Sequence, residues 1–247
     1  MILILVVSDI HYDKTFYKGV DQSKAWEWLL SIVDYHKPKY LLSLGDWGYG
    51  ASQRDFIELV SRVRVYTIYG NHDDLDMLKS IRNIDDTPIL LKDAEIKNID
   101  GLIVAGINGV TATKRTEKKK VPRKKPDEFL GIARKIASSG FSIDILLIHE
   151  APYLPDLFPQ IVKREGILKA LESIKIVKPK LVFHGHMHSG CFKTKMIGEE
   201  TRYIYIDSSQ NERCYIVINN RESNIDVEVW RDLNREAEIC SIGRDLP

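Results

Sequence analysis

The chain has 247 residues, 44% of them hydrophobic, and carries 36 basic and 35 acidic residues for a formal net charge of +1. That is enough chain for a sizeable core within a single domain over 1–247, and the near-zero charge excludes a strong field steering the whole molecule. Three cysteines, Cys191, Cys214 and Cys240, form no CxxC pair and are odd in number, which predicts no disulfide framework and a reducing, cytoplasmic compartment.

Residues 2–8 read as a buried strand. The run resembles the apolar core of a signal peptide, but no basic residues precede it and Asp9 and His11 follow at once. Residues 23–36 carry Trp26, Leu29, Leu30 and Val33 at helical spacing. Strands at 40–44 and 65–69 then alternate with helices at 55–63 and 75–81, and a strand follows at 102–105. Segment 111–126 breaks the pattern: eight basic residues stand against the single acid Glu117, with Pro122 and Pro126, which predicts a long exposed loop. Beyond it come a helix at 128–137, a strand at 143–148, a helix at 161–176 stopped by Pro179, and a strand at 181–183. Residues 202–206, 214–218 and 225–230 alternate and are joined by turn residues such as Asn219-Asn220, so they read as antiparallel strands. No run approaches the roughly 20 apolar residues that span a bilayer. A strand–helix first part with a strand-rich end predicts an α/β fold of stacked sheets with helices outside.

The chemistry-bearing residues fall at the ends of these strands. Residues 2–8 run into Asp9-Ile10-His11, 40–44 into Gly45-Asp46, 65–69 into Gly70-Asn71-His72-Asp73, 143–148 into His149, and 181–183 into His184-Gly185-His186-Met187-His188. Carboxyl ends of strands are where open α/β sheets bind ligands. In extended chain, residues i and i+2 point the same way, so Asp9 can face a site together with His11, as can His186 with His188. Gly45, Gly70 and Gly185 permit tight turns beside them. The donors are carboxylate, amide oxygen and imidazole without thiolate, a set that suits Mn, Fe, Zn, Ni or Co, and they are too many for one tetrahedral ion.

The ordered set DxH, GD, GNHD, a lone His after an apolar strand, and GHMH resembles the calcineurin-like metallophosphoesterases across Asp9 to His188. The resemblance implies a four-layer α/β-β/α sandwich of two mixed sheets flanked by helices, with a site for two divalent ions at one edge, manganese first among the candidates. One ion would take Asp9, His11, Asp46 and His188, and the other Asp46, Asn71, His149 and His186, with Asp46 bridging. His72 would be the catalytic histidine beside the scissile phosphate. His184 and Asp73 would stand behind the ligands. Trp47 and Tyr49, where many members have a further Asp or Asp-Arg, would pack beside the site or form a substrate wall. The implied activity is hydrolysis of a phosphodiester or phosphomonoester by metal-activated water. The alternative is a scaffold of the same fold that turns over little and binds nucleic acid or protein, nucleic acid being drawn by basic residues 114–125.

Overall fold

The computed structural model describes residues 2–17, 19–112, 121–222 and 224–243, and the backbone of 117–118. Chain order runs β1 (Ile2–Val7), β2 (Phe16–Tyr17), β3 (Val20–Asp21), α1 (Ala25–His36), β4 (Tyr40–Ser43), α2 (Gln53–Val60), β5 (Arg64–Thr67), α3 (Leu75–Ser80), β6 (Ile96–Ile99) and β7 (Leu102–Ile107). There follow β8 (Glu117–Lys118), β9 (Val121–Pro122), α4 (Pro126–Ala137), β10 (Ile145–Ile148), α5 (Glu165–Val177), β11 (Leu181–His184), β12 (Phe192–Ile197), β13 (Thr201–Ile206), β14 (Cys214–Asn220), β15 (Asn224–Arg231) and β16 (Asn234–Gly243).

Two six-stranded mixed sheets stack face to face, in the orders β16-β15-β14-β1-β4-β5 and β12-β13-β11-β10-β7-β6. The period-2 alternation of strand side chains sorts the apolar residues into three layers. In β1, Ile4 and Val6 point into the layer between the sheets, while Leu5 and Val7 face the helices. In β10, Ile145 and Leu147 join that central layer, and Leu146 and Ile148 pack under α4 and α5. Helices α1 to α3 cover the first sheet around Trp26, Leu29, Phe56 and Leu78. Phe56 is fully buried against Trp26 and Trp47, so Phe56→Ala would cost about 3–5 kcal/mol.

Local chemistry sets the helix ends. Ser52 and Asp55 form a reciprocal capping box at the start of α2. Helices α1 and α5 stop at Lys37 and Lys178, both in the left-handed conformation and each followed by a proline. These stops fix where the next strand begins, and so where it ends.

In the first sheet β1, β4 and β5 run parallel, as do β7, β10, β11 and β13 in the second. Cross-sheet bonds join the two sets of carboxyl ends: the His149 Nδ1 lies 2.8 Å from the Leu44 carbonyl oxygen, and the His186 N–H donates to Asp9 Oδ2 at 2.7 Å.

Three expectations change. Residues 202–206 do not belong with the antiparallel C-terminal set: β13 lies beside β11, parallel, in the second sheet, whereas β14 pairs with β1 in the first. Both strands are buried on both faces, so alternation could not assign them. Secondly, Cys191 and Cys214 form a disulfide, their Cα atoms 5.5 Å apart, and Cys240 is the free cysteine. The half-cystines meet because the chain crosses between sheets after β13, which no sequence spacing reveals. A reducing compartment therefore no longer follows from the cysteine count. Among the described residues no helix is long and apolar enough to cross a membrane.

Thirdly, segment 111–126 is anchored at both ends. Thr111 bridges to Lys124, and Val121 and Lys124 are buried. The Lys124 ammonium bonds the Asn108 carbonyl oxygen at 2.6 Å and the Tyr69 hydroxyl at 3.0 Å, and it pairs with Asp93 at 3.1 Å. The side chains of Lys114, Arg115, Lys118, Lys119 and Lys120 lie outside the described residues.

Candidate metal centre

Two groups of side chains converge at the shared edge: Asp9, His11 and His188, and Asp46, His149 and His186. Within each group the ligand atoms lie within 4.8 Å of one another. The groups meet at one carboxylate, for Asp46 Oδ2 lies 3.6 Å from His11 Nε2 and 3.3 Å from His149 Nε2. Asp9 Oδ1 lies 3.6 Å from His11 Nε2 and 3.9 Å from His188 Nε2.

The backbone that delivers these residues is not extended. Asp9, His11, Asp46, His186 and His188 have φ of 54°, 47°, 58°, 72° and 43°. A left-handed conformation costs an L-residue about 1–2 kcal/mol, and such strain collects at functional sites. Strand alternation is therefore not what unites Asp9 with His11. The tight turn after β1 does that, held by Asp9 N–H to the Gly45 carbonyl at 3.0 Å and His11 N–H to the Asp46 carbonyl at 2.9 Å. His186 and His188 likewise part, one to each group. Gly70 is required by space, since a Cβ there would strike the Asp46 carboxylate and the His149 ring.

The atoms aimed inward have nothing to bond. Asp9 Oδ1, His11 Nε2, Asn71 Oδ1 and His149 Nε2 are buried without a hydrogen-bond partner among the described residues. Unpaired buried polar atoms are costly, and the three that belong to the two groups, on Asp9, His11 and His149, fit cations of carboxylate and imidazole preference. Their other atoms are tied down. Asp9 Oδ2 accepts from the Ser8 hydroxyl and the His186 N–H, and Asp46 Oδ1 accepts from the His72 N–H at 2.6 Å.

The electrostatics have the same origin. Burial opposes ionisation of Asp46, but the His149 charge, the bond to His149 and the His11 charge together outweigh it and hold the carboxyl below the usual carboxylate range. Burial likewise opposes protonation of His149, yet Asp46 and then Asp9 push it up to about 10. His186 lacks so close a carboxylate, and burial followed by repulsion from His149 takes it down to about 4. The cavity thus demands positive charge.

The remaining expected residues divide. His72 is half-buried beside the first group, its ring centroid 5.1 Å from His11 and 6.0 Å from Tyr49. Asp73 caps no helix, since Asp74 caps α3. Instead its carboxylate accepts from the N–H groups of Asp46, Trp47 and Gly70 at 2.9, 2.7 and 2.7 Å, pinning two turns together. Burial, then the Asp46 charge, raises it to about 6. His184 points away, into the layer under α4 and α5, 2.7 Å from the Tyr203 hydroxyl. Trp47 is buried against Trp26 and Phe56, and its N–H donates to the Thr67 hydroxyl at 2.9 Å, so it forms no wall. Tyr49 is 40% exposed beside His72. Sequence reasoning missed Ser8 and Asp207. Asp207 follows β13 as the other candidates follow their strands, so the strand-end signal was present.

Fold and site together define a metal-dependent phosphoesterase. Residues 2–190 match the calcineurin-like phosphoesterase family, and the chain belongs to that family. No match was found among curated protein sequences. Among solved structures, the protein TT1561 of Thermus thermophilus aligns at 15% identity and a TM-score of 0.63, covering 93% of this chain and 98% of that one. A dimetal phosphatase from Danio rerio aligns at 10% identity and a TM-score of 0.55 over 98% of both chains. GAP50, the anchor in the inner membrane complex of Plasmodium, aligns at 10% identity and 0.54, covering 98% of this chain and 88% of that one.

Proposed function

We propose that the chain hydrolyses a phosphate ester at a centre for two divalent ions. Asp9, His11, Asp46 and His188 would hold one, and Asp46, Asn71, His149 and His186 the other. The observation that carries this reading is the Asp46 carboxylate, set between His11 and His149, whose Nε2 atoms are buried and unpaired. Divalent ions bound there would supply Lewis-acid charge for phosphate oxygens and acidify a water for attack. Manganese suits the donor set, with Fe, Zn, Ni and Co as the other candidates.

The chain's own residues do the rest. Asp9 and Asp46 would only partly neutralise two divalent cations held there, so the occupied site would be net positive toward an anionic ester. His72 stands at the rim, where its imidazole can hold a phosphoryl oxygen or deliver a proton to the leaving oxygen. Tyr49 offers the exposed aromatic face next to it. The substrate is a phosphodiester or a small phosphomonoester.

The test is a panel of aryl phosphodiester, aryl phosphomonoester, nucleotide and nucleic acid with Mn²⁺. Turnover of at least one, abolished by chelator and restored by metal, is expected. A protein that binds two ions yet hydrolyses none of them would overturn the enzyme and leave the binding scaffold.

A further inference from the structure

The Asp9–His11–His188 group is built against a second structure that the other group lacks. Asp207 is buried where the chain leaves β13 to cross between the sheets. Its Oδ2 lies 3.2 Å from His188 Nδ1 and accepts from the Tyr205 hydroxyl at 3.4 Å, while Oδ1 accepts from the Ser209 N–H at 2.9 Å. Its main chain is clasped between the two half-cystines. The Asp207 N–H donates to the Cys191 carbonyl at 3.0 Å, and the Cys214 N–H donates to the Asp207 carbonyl at 3.1 Å. The next residue reaches the other end of the same group. The Ser208 N–H donates to the Ser8 carbonyl at 3.0 Å, and the Ser8 N–H donates to the Ser208 hydroxyl at 3.0 Å. Ser8 in turn gives its own hydroxyl proton to Asp9 Oδ2.

We propose that Asp207 is a positioning residue for one of the two metal sites, with Cys191–Cys214 as its brace. The inference rests on the dinuclear reading above. An imidazole that donates from Nδ1 to a carboxylate keeps its proton there, so the Nε2 lone pair is left for a cation. At His188 that lone pair faces Asp9 Oδ1. His149 obtains the same orientation from a backbone carbonyl, Leu44, at 2.8 Å, which no side-chain substitution removes. The two sites therefore differ in how their histidines are held. The Asp9–His11–His188 site depends on a side chain and a disulfide, and the Asp46–His149–His186 site on main chain and on the Asp73 staple.

The experiment is a Mn²⁺ titration of the full chain by calorimetry, with bound metal counted by elemental analysis, on wild type, Asp207→Ala and Asp207→Asn. Outer carboxylates on histidine ligands typically change metal affinity about 10–100-fold. Asp207→Ala should weaken one site by that factor and leave the other within about threefold. Asp207→Asn, whose amide oxygen still accepts from Nδ1–H, should lie between wild type and Asp207→Ala. If Asp207→Ala does not fold, the isosteric Asp207→Asn carries the same comparison. Equal weakening of both sites, or two sites of wild-type affinity in both variants, would overturn the positioning role. A wild-type chain that binds fewer than two ions would instead overturn the dinuclear reading.

Discussion

Asp46 and His149 come from different sheets, yet Oδ2 of the one lies 3.3 Å from Nε2 of the other. The same oxygen is 3.6 Å from His11 Nε2, so one carboxylate touches both groups of prospective ligands. Asp46→Asn keeps the shape and removes the shared negative charge. We predict that it lowers metal content at both sites and reduces turnover by at least about 10²-fold, among the largest losses of any single change. The proposed centre is falsified if Asp46→Asn keeps wild-type metal content and rate.

His72 contributes to the centre through its main chain, whose N–H bonds Asp46 Oδ1 at 2.6 Å, and its ring belongs to neither ligand group. The prediction for His72→Asn is therefore split. Metal content stays at two ions, and turnover falls about 10²–10⁴-fold, the usual contribution of a general acid or base. An ester with a low-pKa leaving group should recover part of that loss. Metal and rate lost together would make the ring a ligand instead.

The central strands and their polar ends were legible because parallel strands buried on both faces are continuous apolar runs, and a polar residue after such a run stands out. Three of the four edge strands were not. β6, β12 and β16 are partly exposed and carry Lys97, Lys193, Lys195, Arg235 and Glu238, so no apolar run marks them. Nor could the left-handed conformations of Asp9, His11, Asp46, His186 and His188 be foreseen, since they arise from the packing of one turn on another. Asp207 escaped notice because its strand was assigned to the antiparallel set, away from the site.

The Cys191–Cys214 bridge closes a loop of 23 residues that includes β12 and β13. In the chain-entropy account a loop of this length stabilises the fold by about 3 kcal/mol. Alkylation of the denatured, unreduced protein should label Cys240 alone, and all three cysteines after reduction. The double variant Cys191→Ser, Cys214→Ser should unfold at lower urea with a steeper slope, because the unbridged denatured chain is less compact. Three labelled cysteines before reduction would remove the bridge and with it the brace on Asp207.

The basic segment yields two opposed expectations, because its residues are not equivalent. Lys124 is 8% exposed, and its ammonium satisfies the Asn108 carbonyl, the Tyr69 hydroxyl and Asp93. Lys124→Met fills similar volume but leaves the buried Asn108 carbonyl short of a donor and Asp93 with only its bonds from Asn108, so it should cost about 1–3 kcal/mol in urea unfolding. Val121 packs with the residues under α1 to α3, so a deletion that reaches it would also disturb the core. Residues 113–120 stand between these anchors and hold Lys114, Arg115, Lys118, Lys119 and Lys120 against Glu117. Replacing 113–120 with a short glycine–serine link removes the short pairing of β8 with β9 but no buried anchor, and should leave the fold intact and hydrolysis of a small aryl phosphodiester within a few-fold. If these lysines meet a polyanion, each phosphate contact releases counterions, and affinity falls steeply with salt. The replacement should then weaken binding to a mixed-sequence oligonucleotide and flatten its salt dependence. The same affinity and salt slope with and without residues 113–120 would show that these charges serve solubility alone, and would leave Lys124 as the segment's one structural cation among the described residues.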